Sequence, residues 1–293
     1  MSKSHVMARI RWMSFFNEAV YVLLLALGLV IFAFPLYWML RSSLVDLATF
    51  VKRPLVWLPI PITFQSYQRV WEEFNLLRVI ANTAAIALTL TASNILIDSM
   101  AGYGFAKTEF PGKNVIFALF LATLMLGFEV LMIPEFLIIK RLGLYDTFPA
   151  IVLPGMASSF SIFLMRQFFS TIPHEIEESA FIDGAGRLRI FFYIALPMSK
   201  PALATIGVLH FLGGWESYLW PLIVTSPSGR MQVMQTVIAR ATQMAGPAGS
   251  GAGEILWPDL MAASLISAIP IFLLFLFAQR YFVAGLTGGA LKG

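Results

Sequence analysis

The sequence predicts an all-α fold, a polytopic membrane protein with six transmembrane helices. Of its 293 residues, 58% are hydrophobic and only 12% are charged, whereas soluble domains carry about 25% charged residues. The mean hydropathy is +0.79, and the apolar residues lie in six segments, each long enough to cross about 30 Å of hydrocarbon. These segments must be helices, because lipid offers no hydrogen-bond partner to free backbone groups. The composition excludes a compact water-soluble domain.

The first predicted span is a transmembrane helix rather than a cleavable signal peptide. Its apolar run is too long, and Arg41 follows it without a small-residue cleavage site. Lys3, Arg9 and Arg11 precede it, which favours a cytoplasmic N-terminus. The six predicted spans lie near Ala19–Leu40, Leu77–Tyr103, Val115–Ile139, Phe148–Phe168, Pro201–Val224 and Asp259–Phe282.

These spans divide the chain into three parts. We expect a cytoplasmic N-terminal segment at 1–18, a transmembrane domain at 19–283 and a cytoplasmic C-terminal tail at 284–293. Positive charge is nearly balanced between the two sets of loops, so it does not fix the orientation. The orientation is decided instead by the first span and by a long polar loop at 170–200.

Several kinds of chemistry are absent from the sequence. The chain has no cysteine, which excludes disulfides and thiolate ligands. The nearest match to a phosphate-binding loop runs from Ala101 to Thr108, with Ala at both positions that require Gly. His174 and His210 have no neighbouring ligands for a metal, and a packed or hydrogen-bonded role suits His210. The net charge of +4 suits membrane faces rather than nucleic acid. We therefore expect no catalytic residue, metal site, nucleotide site or nucleic-acid partner.

The polar loop has the pattern of two short helices joined by a turn. Pro173 suits the first turn of a helix, and the glutamates after it favour the positive end of the helix dipole. Asp183 and Gly184 are typical of a turn. Arg187–Tyr193 can form a second helix, which we expect to end before Pro197. The sequence thus predicts a helix-turn-helix that projects from the membrane.

This loop resembles the cytoplasmic coupling loop of bacterial ABC-importer permeases. The similarity lies in a Glu-x-Ala core at Glu178, an Asp-Gly-Ala turn at Asp183 and an Ile-x-Leu-Pro end at Pro197. The tail from Gly285 resembles the C-terminus of maltose-type permeases, and the opening at 1–22 is similar to that of an alginate-oligosaccharide importer permease. The chain therefore resembles the smaller permease of carbohydrate importers, which implies the ABC importer type I permease fold.

The resemblance implies a multi-subunit importer in the bacterial plasma (inner) membrane. A second homologous permease, an ATPase dimer and an extracytoplasmic solute-binding protein would be its partners, with a sugar or oligosaccharide as substrate. ATP and magnesium would bind to the ATPase, so this chain would be no enzyme and carry no cofactor. Ser179 departs from the family's usual Ala but is small enough for close packing. The implied ATPase-coupling residues are Glu177, Glu178, Ser179, Ala180, Asp183, Gly184, Ala185 and Pro197, and the tail residues implied near the ATPase are Gly285, Thr287 and Lys292.

Ionisable and aromatic residues inside spans are candidates for the substrate pathway. A glycine pair precedes Trp215 and permits kinking or close helix approach. Aromatic rings could stack on sugar rings, and carboxylates could accept hydrogen bonds from hydroxyl groups. A location at the membrane interface explains the aromatic residues equally well. The candidates are Trp215, Glu216, Tyr218, Trp220 and Glu129.

Two other functions remain compatible with the sequence. A stand-alone secondary transporter or channel would use Glu129, Glu135 or Glu216 as an ion site and would not need the polar loop. A membrane enzyme or scaffold is a third possibility, although no nucleophile and base are placed together. The loop itself would then be an ordinary amphipathic connection.

Overall fold

Helices form the framework of the protein, for which we use a computed structural model. The structure describes the backbone of residues 3–52, 57–244 and 257–290, and the side chains of residues 17–50, 52, 57–242 and 257–279. The helices are α1 (Lys3–Ser43), α2 (Leu47–Lys52), α3 (Gln65–Glu73), α4 (Leu76–Lys107), α5 (Lys113–Thr123), α6 (Phe128–Arg141), α7 (Phe148–Val152), α8 (Ser159–Ser170), α9 (His174–Ile182), α10 (Arg187–Ile190), α11 (Leu196–Met198), α12 (Lys200–Trp215), α13 (Leu219–Val224), α14 (Met234–Met244) and α15 (Trp257–Ala290). A 3₁₀ turn (Leu153–Gly155) extends α7, and a π-helical turn (Phe191–Ala195) joins α10 to α11.

The described residues contain three single helices and three bent helix pairs that are long and apolar enough to span a membrane. The single helices are Asn17–Ser43, Leu76–Lys107 and Trp257–Gln279. The bent pairs are Lys113–Thr123 with Phe128–Arg141, Phe148–Gly155 with Ser159–Ser170, and Arg187–Met198 with Lys200–Trp215. The prediction of an all-α protein with six spans is confirmed when each bent pair counts as one span.

Three of the predicted spans are not the continuous helices that their apolar runs suggested. The third bends by 101° between α5 and α6, and the fourth bends by 43° before α8. The fifth predicted span is not continuous over Pro201–Val224, because α12 ends at Trp215 and α13 begins anew at Leu219. Pro221 explains this restart, since a missing N–H costs nothing in the first turn of a helix but breaks a helix interior.

The chain forms two compact units, residues 1–70 with 241–266 and residues 71–240 with 267–293. In the first unit, Arg69 binds the carboxylate of Asp259, with Nη2 2.8 Å from Oδ1. This pair fastens α3 to the start of α15. The hydroxyl groups of Ser43 and Tyr67 also share a hydrogen bond of 2.8 Å.

In the second unit, α4 is the central helix and packs against both α8 and α12. Glycines allow the close approach. A Cβ atom on Gly102 would lie 2.7 Å from Cβ of Met165 on α8, and one on Gly214 would lie 2.8 Å from Cα of Ala87 on α4. Small residues at crossings let helix backbones meet in this way. The helix breaks before α8 and after α12 adjoin this three-helix core.

Candidate functional site

The first arm of the polar loop, α9, ends in a Schellman motif. The N–H of Ala185 donates to the carbonyl of Ala180 at 2.9 Å, and the N–H of Gly184 donates to the carbonyl of Phe181 at 3.0 Å. Gly184 has φ +81°, a left-handed conformation that disfavours residues with a Cβ. The Asp-Gly-Ala sequence is therefore a helix C-cap, and the predicted helix-turn-helix is present.

The second arm differs from the expected short helix. Helical structure continues from Arg187 to Met198, through Pro197 rather than ending before it, and a π-helical turn precedes the proline. Proline cannot give the usual hydrogen bond to the residue four positions earlier and clashes with its carbonyl. The wider π turn accommodates both effects. Pro173 likewise differs from expectation, since it is the N-cap of α9 rather than its first helical residue.

The loop presents apolar side chains to its outside, which sequence reasoning missed. Ile182 is 86% exposed, Leu188 is 65% exposed and Phe181 is 45% exposed. We call these three residues the loop tip. Apolar residues grouped on an exposed polar loop are typical of an interaction site. The sequence could have predicted this exposure, because all three residues flank the turn at Gly184, where side chains are difficult to bury.

The predicted coupling residues divide into an outer and an inner group. Glu178, Ser179, Asp183, Gly184 and Pro197 are exposed, and Ala185 is half-buried. Ala180 and Glu177 are buried instead, with Glu177 only 5% exposed. Glu177 Oε1 lies 3.7 Å from Lys107 Nζ at the end of α4. Glu177 therefore faces the helix bundle.

The structure describes only part of the tail. Gly285 and Thr287 belong to the helical backbone of α15, which continues to Ala290. Their side chains lie outside the described part of the chain, as does Lys292 entirely. The tail assignments at 284–293 therefore remain predictions.

Trp215 is a packing residue rather than part of a cavity wall. It is 2% exposed, and its Nε1 donates to the carbonyl of Ser267 at 3.0 Å. Its ring stacks on Phe211 at 6.0 Å. Glu216 and Glu129 are exposed. None of these three predicted pathway residues lines the neighbouring cavity that Tyr218 and Trp220 help to form.

Tyr218 and Trp220 line a cavity of about 540 Å³ within the second unit. Three interruptions of the spanning helices meet there. Phe128 follows the break between α5 and α6, Gly155 precedes the break before α8, and Tyr218 lies in the break between α12 and α13. At membrane depth, irregular backbone is tolerated only inside protein or beside a water-filled space. The full lining is Leu90, Phe128, Glu135, Ile151, Pro154, Gly155, Ser217, Tyr218, Leu219 and Trp220.

The cavity wall combines aromatic faces with one carboxylate. The indole Nε1 of Trp220 donates to the carbonyl of Ala150 at 3.0 Å, which fixes the ring. Phe128 packs edge-to-face on it at 6.2 Å. Glu135 is half-buried and is the carboxylate among the described lining residues. The sequence pointed to Glu135 because it lies inside a predicted span. Only the structure shows that Glu135, and not Glu129, lines the cavity.

A buried polar cluster holds the bend in the fourth span. Asn94 Nδ2 donates to the carbonyl of Gly155 at 2.8 Å, and Asp98 Oδ1 accepts from the N–H of Ser158 at 3.1 Å. His210 Nε2 lies 2.7 Å from Ser161 Oγ, as expected for a hydrogen-bonded histidine. Asp98 and Asn94 are fully buried on α4. Sequence reasoning missed Asp98, although a carboxylate within an apolar span is itself a signal.

Comparison with known proteins assigns the family. Residues 98–288 match the family described as "Binding-protein-dependent transport system inner membrane component". The sn-glycerol-3-phosphate transport system permease protein UgpE of Yersinia pestis bv. Antiqua (strain Antiqua) is 34% identical over 90% of this chain and 94% of that protein. The arabinooligosaccharides transport system permease protein AraQ of Halalkalibacterium halodurans is 35% identical over 82% of this chain and 83% of that protein.

A solved structure agrees with this assignment. A chain of a bacterial ABC transporter involved in the import of the acidic polysaccharide alginate is 25% identical, with a TM-score of 0.79 over 96% of this chain and 99% of that chain. A second structure, a bacterial alginate ABC transporter in complex with a periplasmic protein that holds an alginate pentasaccharide, shares the fold at 18% identity and a TM-score of 0.59. The chain therefore belongs to the family of inner membrane components of binding-protein-dependent transport systems, and it is a transport permease.

Proposed function

We propose that this chain is the permease subunit of an ATP-driven ABC importer for sugars or oligosaccharides. It forms half of the translocation pathway in the bacterial inner membrane, and a second homologous permease supplies the other half. An ATPase dimer binds ATP and magnesium on the cytoplasmic side, and an extracytoplasmic binding protein delivers the solute. The names of similar proteins support this assembly, since they describe permeases of transport systems, an ABC transporter involved in alginate import and a complex with a periplasmic protein.

The observation that carries the proposal is the exposed loop tip. Ile182 and Leu188 stay exposed on either side of a turn whose geometry is fixed by the Schellman motif. A fixed apolar projection suits a groove on another subunit, and the neighbouring Glu178 and Arg189 can form ion pairs at its rim. Such exposed pairs contribute only about 0–1 kcal/mol each, so the fit of shape provides most of the affinity. A stand-alone transporter has no use for this projection.

Copurification tests the docking of the loop tip. We expect Ile182→Glu to abolish recovery of the ATPase subunit with the tagged permease in mild detergent, because the variant places a charge in an apolar contact. Glu175→Gln is the matched control, since Glu175 is also exposed on α9 but lies at its opposite end. Undiminished ATPase recovery with Ile182→Glu would contradict the proposed docking.

The cavity is the proposed pathway of this subunit. Phe128, Tyr218 and Trp220 present aromatic surface to a solute, and Glu135 accepts hydrogen bonds from its hydroxyl groups. Its volume lies within the range of about 300–1,000 Å³ that small-molecule sites occupy. Tyr218 and Trp220 retain the role that the sequence suggested, while Glu135 takes the place of Glu129 and Glu216.

Solute uptake tests the assignment of Glu135. We expect Glu135→Gln to lower the rate of solute uptake by about fivefold or more through loss of a charge-assisted hydrogen bond of about 1.5–3 kcal/mol. Binding of the ATPase subunit should stay unchanged, because Glu135 is remote in sequence and structure from the loop tip. Glu129→Gln, an exposed glutamate on the same helix, should leave uptake unaffected. Equal effects of the two variants would remove Glu135 from the pathway.

A further inference from the structure

Both arms of the coupling loop, residues 173–197, are attached to the same end of α4. The first arm is held through Glu177, whose Oε1 lies 3.7 Å from Lys107 Nζ. The second arm is held through Phe191, whose ring lies 5.3 Å from that of Tyr103. Lys107 and Tyr103 are one helical turn apart on α4, so the two attachments share one face of that helix.

The ion pair is buried, which distinguishes it from a surface contact. The side chain of Lys107 is 1% exposed and that of Glu177 is 7% exposed. Lys107 Nζ also donates to the carbonyl of Ile172 at 2.6 Å, just ahead of α9. A buried charge is costly unless it is compensated, and Glu177 Oε1 makes no hydrogen bond among the described residues, so the charge of Lys107 compensates it. Each partner therefore requires the other to stay in place.

Aromatic packing makes the same junction rigid. Tyr103 contacts the ring of Phe169 on α8 at 5.5 Å, and Phe169 contacts Phe191 at 6.3 Å. These residues belong to one buried cluster with Met165, which lies where α4 and α8 cross at Gly102. Close-packed interiors transmit displacement rather than absorbing it. The second arm of the loop and the end of α4 therefore share one buried, close-packed cluster.

The same helix reaches the cavity. Leu90 lines it, and Asn94 holds the backbone at Gly155, another lining residue. From Lys107 to Leu90 the helix rises about 25 Å at 1.5 Å per residue. The described part of α4 has no proline or break between these positions. One continuous helix thus connects the attachment of the loop to the cavity wall.

We propose that α4 is the transmission element of this permease, and that Lys107 and Glu177 are positioning residues that lock the coupling loop to it. This inference rests on the proposed function, because it requires an ATPase that moves the loop. The ion pair itself contacts neither the ATPase nor the solute. Its loss separates ATP hydrolysis from transport while the subunits remain assembled.

The number of ATP molecules hydrolysed per solute imported tests this role. The complete importer is reconstituted in liposomes and supplied with glycerol-3-phosphate, arabinooligosaccharides and alginate oligosaccharides, the solutes named for the relatives. With the solute that is imported, we expect Glu177→Gln and Lys107→Met each to raise the ratio by about fivefold or more. The exchanged pair Lys107→Glu with Glu177→Lys should restore only part of the coupling, because it returns the ion pair but not the hydrogen bond from Lys107 to Ile172.

The chain supplies a matched control pair. Lys113 and Glu109 are the same residue types, 2.9 Å apart, but Glu109 is 91% exposed. Glu109→Gln and Lys113→Met should leave the ratio of ATP to solute unchanged. An unchanged ratio in Glu177→Gln would overturn the inference, and so would single variants that no longer assemble, because the pair would then serve folding. If the unaltered importer moves solute without ATP, the proposed function itself fails.

A spin-label distance adds a readout that needs no solute. The chain has no cysteine, so labels can be placed at Glu175→Cys on α9 and Met100→Cys on α4, both exposed. We expect one narrow distance, the same without nucleotide and with trapped ATP, because the loop and α4 move together. Glu177→Gln should lose the narrow distance. A narrow distance that persists in that variant would contradict the locking role.

Discussion

Trp215→Ala is expected to lower the melting temperature of the purified importer more than Asp98→Ala or any substitution at the loop tip. Trp215 is 2% exposed, stacks on Phe211 and donates its indole N–H to Ser267. Removal of a buried tryptophan costs about 3–5 kcal/mol through lost contacts and the cavity left behind. Thermal unfolding in detergent, followed by intrinsic fluorescence, measures the shift.

The control for this change is Trp71→Ala. Trp71 is 53% exposed, so its truncation should shift the melting temperature far less. Trp215→Phe should fall between the two, since it keeps an aromatic ring in the core but loses the hydrogen bond and part of the buried ring volume. If Trp215→Ala leaves stability unchanged and lowers only solute uptake, Trp215 belongs to the pathway, as its sequence context first suggested, and the packing role is wrong.

Asp98→Ala is expected to destabilise the bend in the fourth span. The carboxylate of Asp98 is fully buried and accepts the N–H of Ser158, a backbone group freed by the break before α8. Removal of the acceptor leaves that N–H without its partner, at a cost of about 1–3 kcal/mol. The melting temperature should fall, and solute uptake should fall with it, because the neighbouring Gly155 lines the cavity.

Asp98→Asn separates the hydrogen bond from the charge. An asparagine side chain offers the same acceptor oxygen, so this variant should retain most of the stability that Asp98→Ala loses. Asp98 Oδ2 also lies 4.0 Å from His210 Nε2. A melting temperature as low for Asp98→Asn as for Asp98→Ala would show that this proximity of the carboxylate to His210 matters more than the bond to Ser158. Unchanged stability in both variants would contradict a structural role for the cluster.

The number of spans could be predicted from the sequence, because the thickness of a membrane sets the length and apolar character that each span must have. The turn of the coupling loop followed as well, since Gly184 supplies the left-handed conformation that a Schellman motif requires. Such features depend on a few adjacent residues. Local physical rules therefore suffice to predict them.

The direction in which each side chain faces could not be predicted from the sequence. Glu177 and Glu178 are adjacent acidic residues, yet one is buried against Lys107 and the other is exposed. Their separation by about 100° around α9 becomes informative only when the position of α4 is known. The same holds for the two tryptophans, since Trp215 packs at the end of α12 and Trp220 lines the cavity from α13.

The helix breaks were missed for a related reason. The segment between Thr123 and Phe128 is apolar throughout and reads as the middle of a span. Its 101° bend contains no proline; it lies among exposed residues, and Gly127 is the N-cap at which α6 begins. Hydropathy shows that a segment prefers lipid or protein to water. It does not show whether the segment crosses the membrane as one unbroken helix.

ATP-driven uptake by the reconstituted importer, with unaltered loop tip and with Ile182→Glu, tests the central claim most directly. Liposomes contain both permeases and the ATPase, with solute and binding protein on one side and ATP on the other, and ionophores collapse all ion gradients. The account predicts uptake that requires ATP, continues after the gradients are collapsed and stops with Ile182→Glu. Uptake by this chain alone, without ATPase subunits and dependent on an ion gradient, would contradict it.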